Sequence, residues 1–163
     1  MSAALLHVVV VHVPVVGVFF TLAVLIIGAI THDRRFVLTG FAFVIVCATG
    51  AAIAYASGPP AYEQLKPNAD PIIRDLAERH AMIGRAAFIV TTLAGLVAIQ
   101  SLLRTASDRE PSRWLTRALA ALILVAAGLL VWTAHLGGAL RHPAARGFAE
   151  SREAHRTEAL RER

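Results

Sequence analysis

The sequence predicts an all-α fold: an integral membrane four-helix bundle with up-down-up-down topology. Of the 163 residues, 56% are hydrophobic and only 17% are charged, a balance that does not suit a water-soluble domain. Four separate apolar runs each reach the roughly 20 residues that a membrane-spanning helix needs. Strands of a membrane barrel would alternate apolar and polar residues in segments of about ten, and these runs do not.

The first predicted span covers residues 3–30 and contains His7 and His12. It lacks the basic start, short apolar centre and small-residue cleavage site of a signal peptide, and it is too long for one. We therefore expect a mature helix. The connection at residues 31–35 is so short that spans one and two must lie antiparallel and adjacent.

The second predicted span covers residues 36–56, and the sequence Gly58-Pro59-Pro60 is expected to end it. Its Cys47 is the only cysteine of the chain, which excludes an internal disulfide and a cysteine-based metal cluster. We interpret Cys47 as a small buried apolar residue.

The third helix is predicted to begin before the membrane. Asp70 and Pro71 have the form of an N-cap residue followed by proline at the first helical position. The helix then crosses the membrane over residues 81–103, and the fourth span covers residues 118–140. One domain, residues 1–143, holds all four spans, and a tail of alternating Arg and Glu follows at 144–163.

An ionisable residue inside a spanning helix is costly and is therefore a candidate functional residue. None of the four runs contains Asp or Glu, which argues against a carboxylate proton relay or a carboxylate-bound metal. The candidates that remain are His7, His12, His80, Arg85 and His135.

Topology predicts that three histidines converge on one side of the bilayer. With four antiparallel spans, the starts of helices one and three share a side with the ends of helices two and four. His12, His80 and His135 all fall on that side, close enough to their span ends to reach one volume. His7 is expected further out, toward the headgroups, and the other side offers only His32, in a loop.

Imidazole is the commonest metal ligand, and two imidazoles from facing helices can hold a haem iron from opposite faces. A flat porphyrin needs small neighbours, and Gly84, Gly137 and Gly138 supply them. Arg85 could pair with a haem propionate. The ordinary alternative is that such histidines hydrogen-bond a neighbouring helix and such glycines only pack.

Three short motifs carry a family likeness: His12-Val13-Pro14, His80 with Gly84 one turn later, and His135-Leu136-Gly137-Gly138. They resemble those of a bacterial family of small four-helix membrane domains of unknown function. The likeness covers roughly residues 5–142 and implies a shared site at the motif histidines without implying its chemistry. More distantly, the chain is similar to four-helix b-type cytochromes, although it lacks the inner-side ligands of their two-haem members.

Three functions follow as hypotheses. The first is a haem-binding, b-type cytochrome-like electron-transfer protein or oxidoreductase subunit, in which two of His12, His80 and His135 hold haem b. The second is a non-haem site in which all three histidines hold one copper, zinc or iron ion. The third is a structural subunit of a larger membrane complex, without its own cofactor.

The expected partners are the lipid bilayer and an electron donor or acceptor, either a quinol or a redox protein. The net charge of +5 lies mainly in loops and tail, where anionic lipid headgroups accept it, and it is no indication of nucleic acid. We expect a multi-pass protein of the bacterial inner (cytoplasmic) membrane with both termini periplasmic, alone, as a homo-oligomer or in a larger membrane complex.

Overall fold

A computed structural model describes residues 2–106 and 110–142 of the chain. The described part contains α1 (Ala3–Val10), α2 (His12–Thr31), α3 (Arg34–Leu65), α4 (Pro71–Thr105) and α5 (Arg113–Arg141), with a single 3-10 turn at Lys66–Asn68. No strand occurs among these residues. The predicted tail at 144–163 lies outside the described residues.

Four helical stretches are long and apolar enough to cross a membrane: Ala3–Thr31, Arg34–Gln64, Pro71–Thr105 and Arg113–Arg141. The predicted all-α four-helix bundle is therefore confirmed, and the spans support a multi-pass membrane protein. The first span packs against α3 and α5, and α4 also packs against α3 and α5. Spans one and three consequently face each other diagonally, so side chains from both that point to the bundle axis can meet.

The first span consists of α1 and α2, which are interrupted at Val11. Pro14 has no backbone N–H, so the carbonyl of Val10 cannot accept the usual bond from the residue four positions later. The chain nevertheless stays helical, because Val11 keeps right-handed angles and its N–H donates to the His7 carbonyl at 3.0 Å. The two helices thus form one membrane crossing.

The second span does not end where the sequence predicted. Helix α3 continues through Pro59 and Pro60 to Leu65. The prolines remove the N–H groups that would bond the carbonyls of Tyr55 and Ala56, but both residues are exposed close to the end of the apolar run, where water and headgroups can satisfy them. At about 1.5 Å per residue the helix is about 48 Å long and extends past a hydrocarbon core of about 30 Å.

The start of α4 agrees with the prediction. Pro71 is its first residue, and the Asp70 carboxylate accepts a hydrogen bond from the Ile73 N–H at 2.8 Å. This bond satisfies one of the N–H groups that a helix start leaves unpaired. Helix α4 is therefore already helical where it reaches His80.

The core follows the bundle axis, and small residues bring the helices close together. Leu25 and Phe41 are fully buried there, as is Ile123. At the contact between α3 and α4, a Cβ atom added to Gly95 would lie only 2.6 Å from the Cβ of Ala48. Only glycine allows these two backbones to approach so closely, as is common between membrane helices.

Candidate functional site

Two histidines meet near the end of the bundle at which the N-terminus lies. They are His7 of α1 and His80 of α4, both half-buried. Their ring centroids are 6.2 Å apart, and the ring planes make an angle of 75°. Because spans one and three are diagonal, the pair lies between α3 and α5.

Helix α3 fixes the ring of His7. Its Nδ1 donates a hydrogen bond to the Ala54 carbonyl at 2.9 Å. The Ser57 hydroxyl, which donates to the same carbonyl at 3.0 Å, lies 3.1 Å from this nitrogen. The ring also lies against Gly58, where an added Cβ would be 3.6 Å from Cε1 of His7.

Helix α5 fixes the ring of His80 in the same way. Its Nδ1 donates a hydrogen bond to the Thr133 carbonyl at 3.0 Å. The ring packs on Gly137, where an added Cβ would be 3.2 Å from Cε1 of His80. Any larger residue at position 137 would therefore push the ring away from its carbonyl partner.

These bonds determine which ring nitrogen is free. A carbonyl oxygen only accepts, so Nδ1 carries the hydrogen in both His7 and His80, and Nε2 of each neutral ring carries a lone pair. Among the residues that the structure describes, neither Nε2 has a hydrogen-bond partner. A backbone carbonyl behind Nδ1 is the usual arrangement of a metal-binding histidine. The pair therefore has the chemistry of two ligands.

The distance between the ring centroids can be compared with that of two imidazoles bound to one metal ion. With a metal–nitrogen bond of about 2.1 Å, two imidazoles on opposite sides of one ion have centroids at most about 6.4 Å apart. A tetrahedral angle would reduce that separation to about 5.2 Å. The observed separation of 6.2 Å, with the ring planes at 75°, lies between these two values and within the reach of one shared ion.

His12 and His135 do not join this pair. His12 is exposed, and its Nδ1 donates to the Val8 carbonyl of the preceding turn at 2.7 Å. His135 is also exposed, and its ring lies 5.8 Å from that of Trp132. In residues 2–106 and 110–142, no three or more His, Cys, Asp or Glu side chains are grouped closely enough to hold a metal ion.

The expected convergence of His12, His80 and His135 therefore needs correction: His80 pairs with His7. The physical reason is helix rotation. His12 follows His7 by five residues, which turns it by about 140° around the helix, away from the bundle axis.

Three other residues were predicted to belong to the site, and the structure shows the surroundings of each: Gly84, Gly138 and Arg85. Gly84 is half-buried, and a Cβ there would be 3.6 Å from Cγ2 of Thr133, the residue that holds His80. Gly138 has no atom within 4 Å of the position a Cβ would take. Arg85 is exposed and forms no ion pair within the described part of the chain.

The sequence analysis expected His7 to lie outside the site, toward the headgroups, whereas the structure pairs it with His80. A usable signal was present, because His7 lies seven residues before Pro14 and so shares its helix face. That face continues through Val18, Thr21 and Leu25, all of which are buried. His12 lies between these positions and points outward.

In comparisons with protein-family models, curated proteins and solved structures, the chain matches none of them.

Proposed function

We propose that this protein is a haem-binding, b-type cytochrome-like electron-transfer protein or subunit of the membrane, with haem b held by His7 and His80. The observation that supports it is the pair of imidazoles on diagonal helices, 6.2 Å apart, each fixed through Nδ1 to a backbone carbonyl. Haem iron in such a site supplies one-electron transfer.

The surroundings of the pair suit a flat macrocycle. Gly58 and Gly137 lie directly against the two imidazoles, and Gly138 faces open space. Glycine at positions 58 and 137 lets the two imidazoles that would hold the macrocycle lie close to the helix backbones. Arg85, which the sequence analysis expected to pair with a propionate, is exposed and follows His80 by five residues, so it is turned about 140° around α4 from the pair.

The protein's own contribution is to hold and tune the ligands. The bonds from Nδ1 of His7 and His80 to backbone carbonyls fix the ring planes and raise the basicity of Nε2. The helix of His7, α1, packs against α3, and the helix of His80, α4, packs against α5, so each ring is bonded to a helix in direct contact with its own.

The position of the pair limits the route of electrons. It lies toward one membrane surface, and the described part of the opposite end contains one histidine, His32. A haem held by His7 and His80 would supply electron exchange at that surface, with a quinol from the bilayer or with a redox protein as partner, and we propose no electron transfer across the membrane by this chain alone. We place the chain in a bacterial inner membrane with periplasmic termini, alone, as a homo-oligomer or within a larger complex.

A non-haem copper, zinc or iron ion is the second candidate. The 6.2 Å separation of the His7 and His80 rings would also suit one ion bound by two imidazoles. Structural zinc sites are almost always tetrahedral, so among these metals the separation favours copper over zinc.

The test is a reduced-minus-oxidised visible spectrum of the detergent-purified protein, with metal analysis of the same sample. We expect the sharp band of a low-spin b-type haem and a haem content equal to that of the protein. Stoichiometric copper, zinc or iron without haem would favour the ion site instead. Neither haem nor metal would leave a structural subunit as the function.

Gly137→Ala tests whether the packing behind His80 matters for the cofactor. The new Cβ would lie 3.2 Å from Cε1 of His80, so the ring must shift and its bond to the Thr133 carbonyl weakens. We expect haem affinity to fall about tenfold or more, as when an outer partner of a ligand is disturbed. Gly138→Ala is the matched control, because no atom lies within 4 Å of its Cβ position. Equal losses in both variants would contradict this account.

A further inference from the structure

A cavity lies at the opposite end of the bundle from His7 and His80. Its volume is about 170 Å³, several times the roughly 30 Å³ that a water molecule takes up in the liquid. It opens between the end of α2 and the starts of α3 and α5. Small and apolar residues form one part of its wall: Gly28, Ala29 and Val37. Charged and polar residues form another: His32, Arg34, Glu110 and Arg113.

The charged part of the wall has an excess of positive charge. Its described members are two arginines, Arg34 and Arg113, against one carboxylate, Glu110. Within the described residues neither arginine forms an ion pair. Arg34 donates one hydrogen bond from Nη2 to the Thr105 carbonyl at 3.2 Å, which leaves its other N–H groups available.

Each arginine lies at the start of a helix. Arg34 is the first residue of α3 and Arg113 is the first residue of α5. A helix start carries the positive end of the helix dipole and favours acidic groups. At α3 the N-cap residue Asp33 supplies one, accepting a hydrogen bond from the Arg35 N–H at 2.7 Å, whereas α5 is capped by the neutral Ser112 and has no acidic residue in its first turn. An anion in the cavity beside Arg34 and Arg113 would supply the negative charge that the start of α5 lacks.

We propose that this cavity binds the phosphate group of an anionic phospholipid. A guanidinium matches a phosphate through two parallel hydrogen bonds, and helix starts favour the same group. The cavity lies at the end of the membrane spans, where headgroups are found, and basic pockets between membrane helices bind anionic headgroups. Gly28, Ala29 and Val37 leave an apolar wall beside which the glycerol and acyl chains can lie. The proposal does not depend on a cofactor at His7 and His80.

The experiment is a titration of the detergent-purified protein with phosphatidylglycerol, followed by native mass spectrometry. Arg34→Gln combined with Arg113→Gln is expected to raise the Kd of the tightest lipid site at least about tenfold, because charge-assisted hydrogen bonds are lost. Arg35→Gln combined with Arg117→Gln is the matched control, since it removes the same charge from the same two helices outside the cavity. We expect the control to change the Kd by less than about twofold.

The single variant Arg113→Gln tests the proposal even if the double variant does not fold. The described structure gives Arg113 no hydrogen bond whose loss would destabilise the fold. This variant should also weaken the site. Equal weakening in the cavity and control variants, or no change in either, would overturn the proposal. Competition with inorganic phosphate distinguishes a lipid headgroup from free phosphate. If inorganic phosphate displaces phosphatidylglycerol at millimolar concentration, the site binds free phosphate and the lipid assignment fails.

Discussion

His7→Ala and His80→Ala are each expected to abolish the low-spin haem spectrum of the purified protein. Each residue supplies one of the two nitrogens that the proposed site requires. No third ligand is grouped with them in the described chain, so nothing nearby can replace a lost imidazole. Imidazole added to either variant should restore the band, because the free molecule can occupy the position of the missing ring. The measurement is the reduced-minus-oxidised spectrum together with the haem content.

His12→Ala and His135→Ala are the matched controls for this experiment. Both remove the same side chain at the same end of the bundle, but both histidines are exposed on the outside. We expect the spectrum to survive in both variants, as in His32→Ala at the other end. If the spectrum is lost in the His12 or His135 variant but retained in His7→Ala, His7 is not a ligand. The ligands would then be among the histidines of the three sequence motifs.

The four crossings could be predicted from the sequence because the bilayer imposes a length that few soluble helices satisfy. The start of α4 was predictable for a local reason, since the Asp70 side chain satisfies an N–H that the helix leaves unpaired. The end of α3 could not be predicted in this way. Prolines at 59 and 60 normally end a helix, but beyond the hydrocarbon the freed carbonyls can be hydrated, so the helix continues.

The end of the bundle that carries the site could also be predicted, but the pairing of side chains could not. Chain topology brings every candidate histidine to that end, whereas helix rotation decides which of them face one another. His80 lies seven residues before the buried Ala87 and so faces the core, while the exposed His12 follows His7 by five residues and is turned about 140° from it. Motifs defined by residue type and spacing do not contain this information.

Gly95→Ala is expected to destabilise the bundle by about 1–3 kcal/mol, the usual cost of overpacking a close contact. The new Cβ would lie 2.6 Å from the Cβ of Ala48, a separation that real Cβ atoms essentially never show. Neither methyl group can rotate out of the way, so α3 and α4 must move apart. The better helix propensity of alanine offsets at most about 1 kcal/mol of this cost. Thermal unfolding in detergent, followed by circular dichroism, measures the effect.

Gly128→Ala is the matched control, because its Cβ would meet no atom within 4 Å. We expect it to leave the stability unchanged or to raise it by up to about 1 kcal/mol through helix propensity alone. Combining Gly95→Ala with Ala48→Gly should then restore most of the lost stability, since the exchange puts one methyl group back between the helices. Two side chains in contact couple in this way, whereas independent sites simply add. If the double variant is as unstable as the sum of its single changes, the close approach of α3 and α4 at this point does not limit the stability of the bundle.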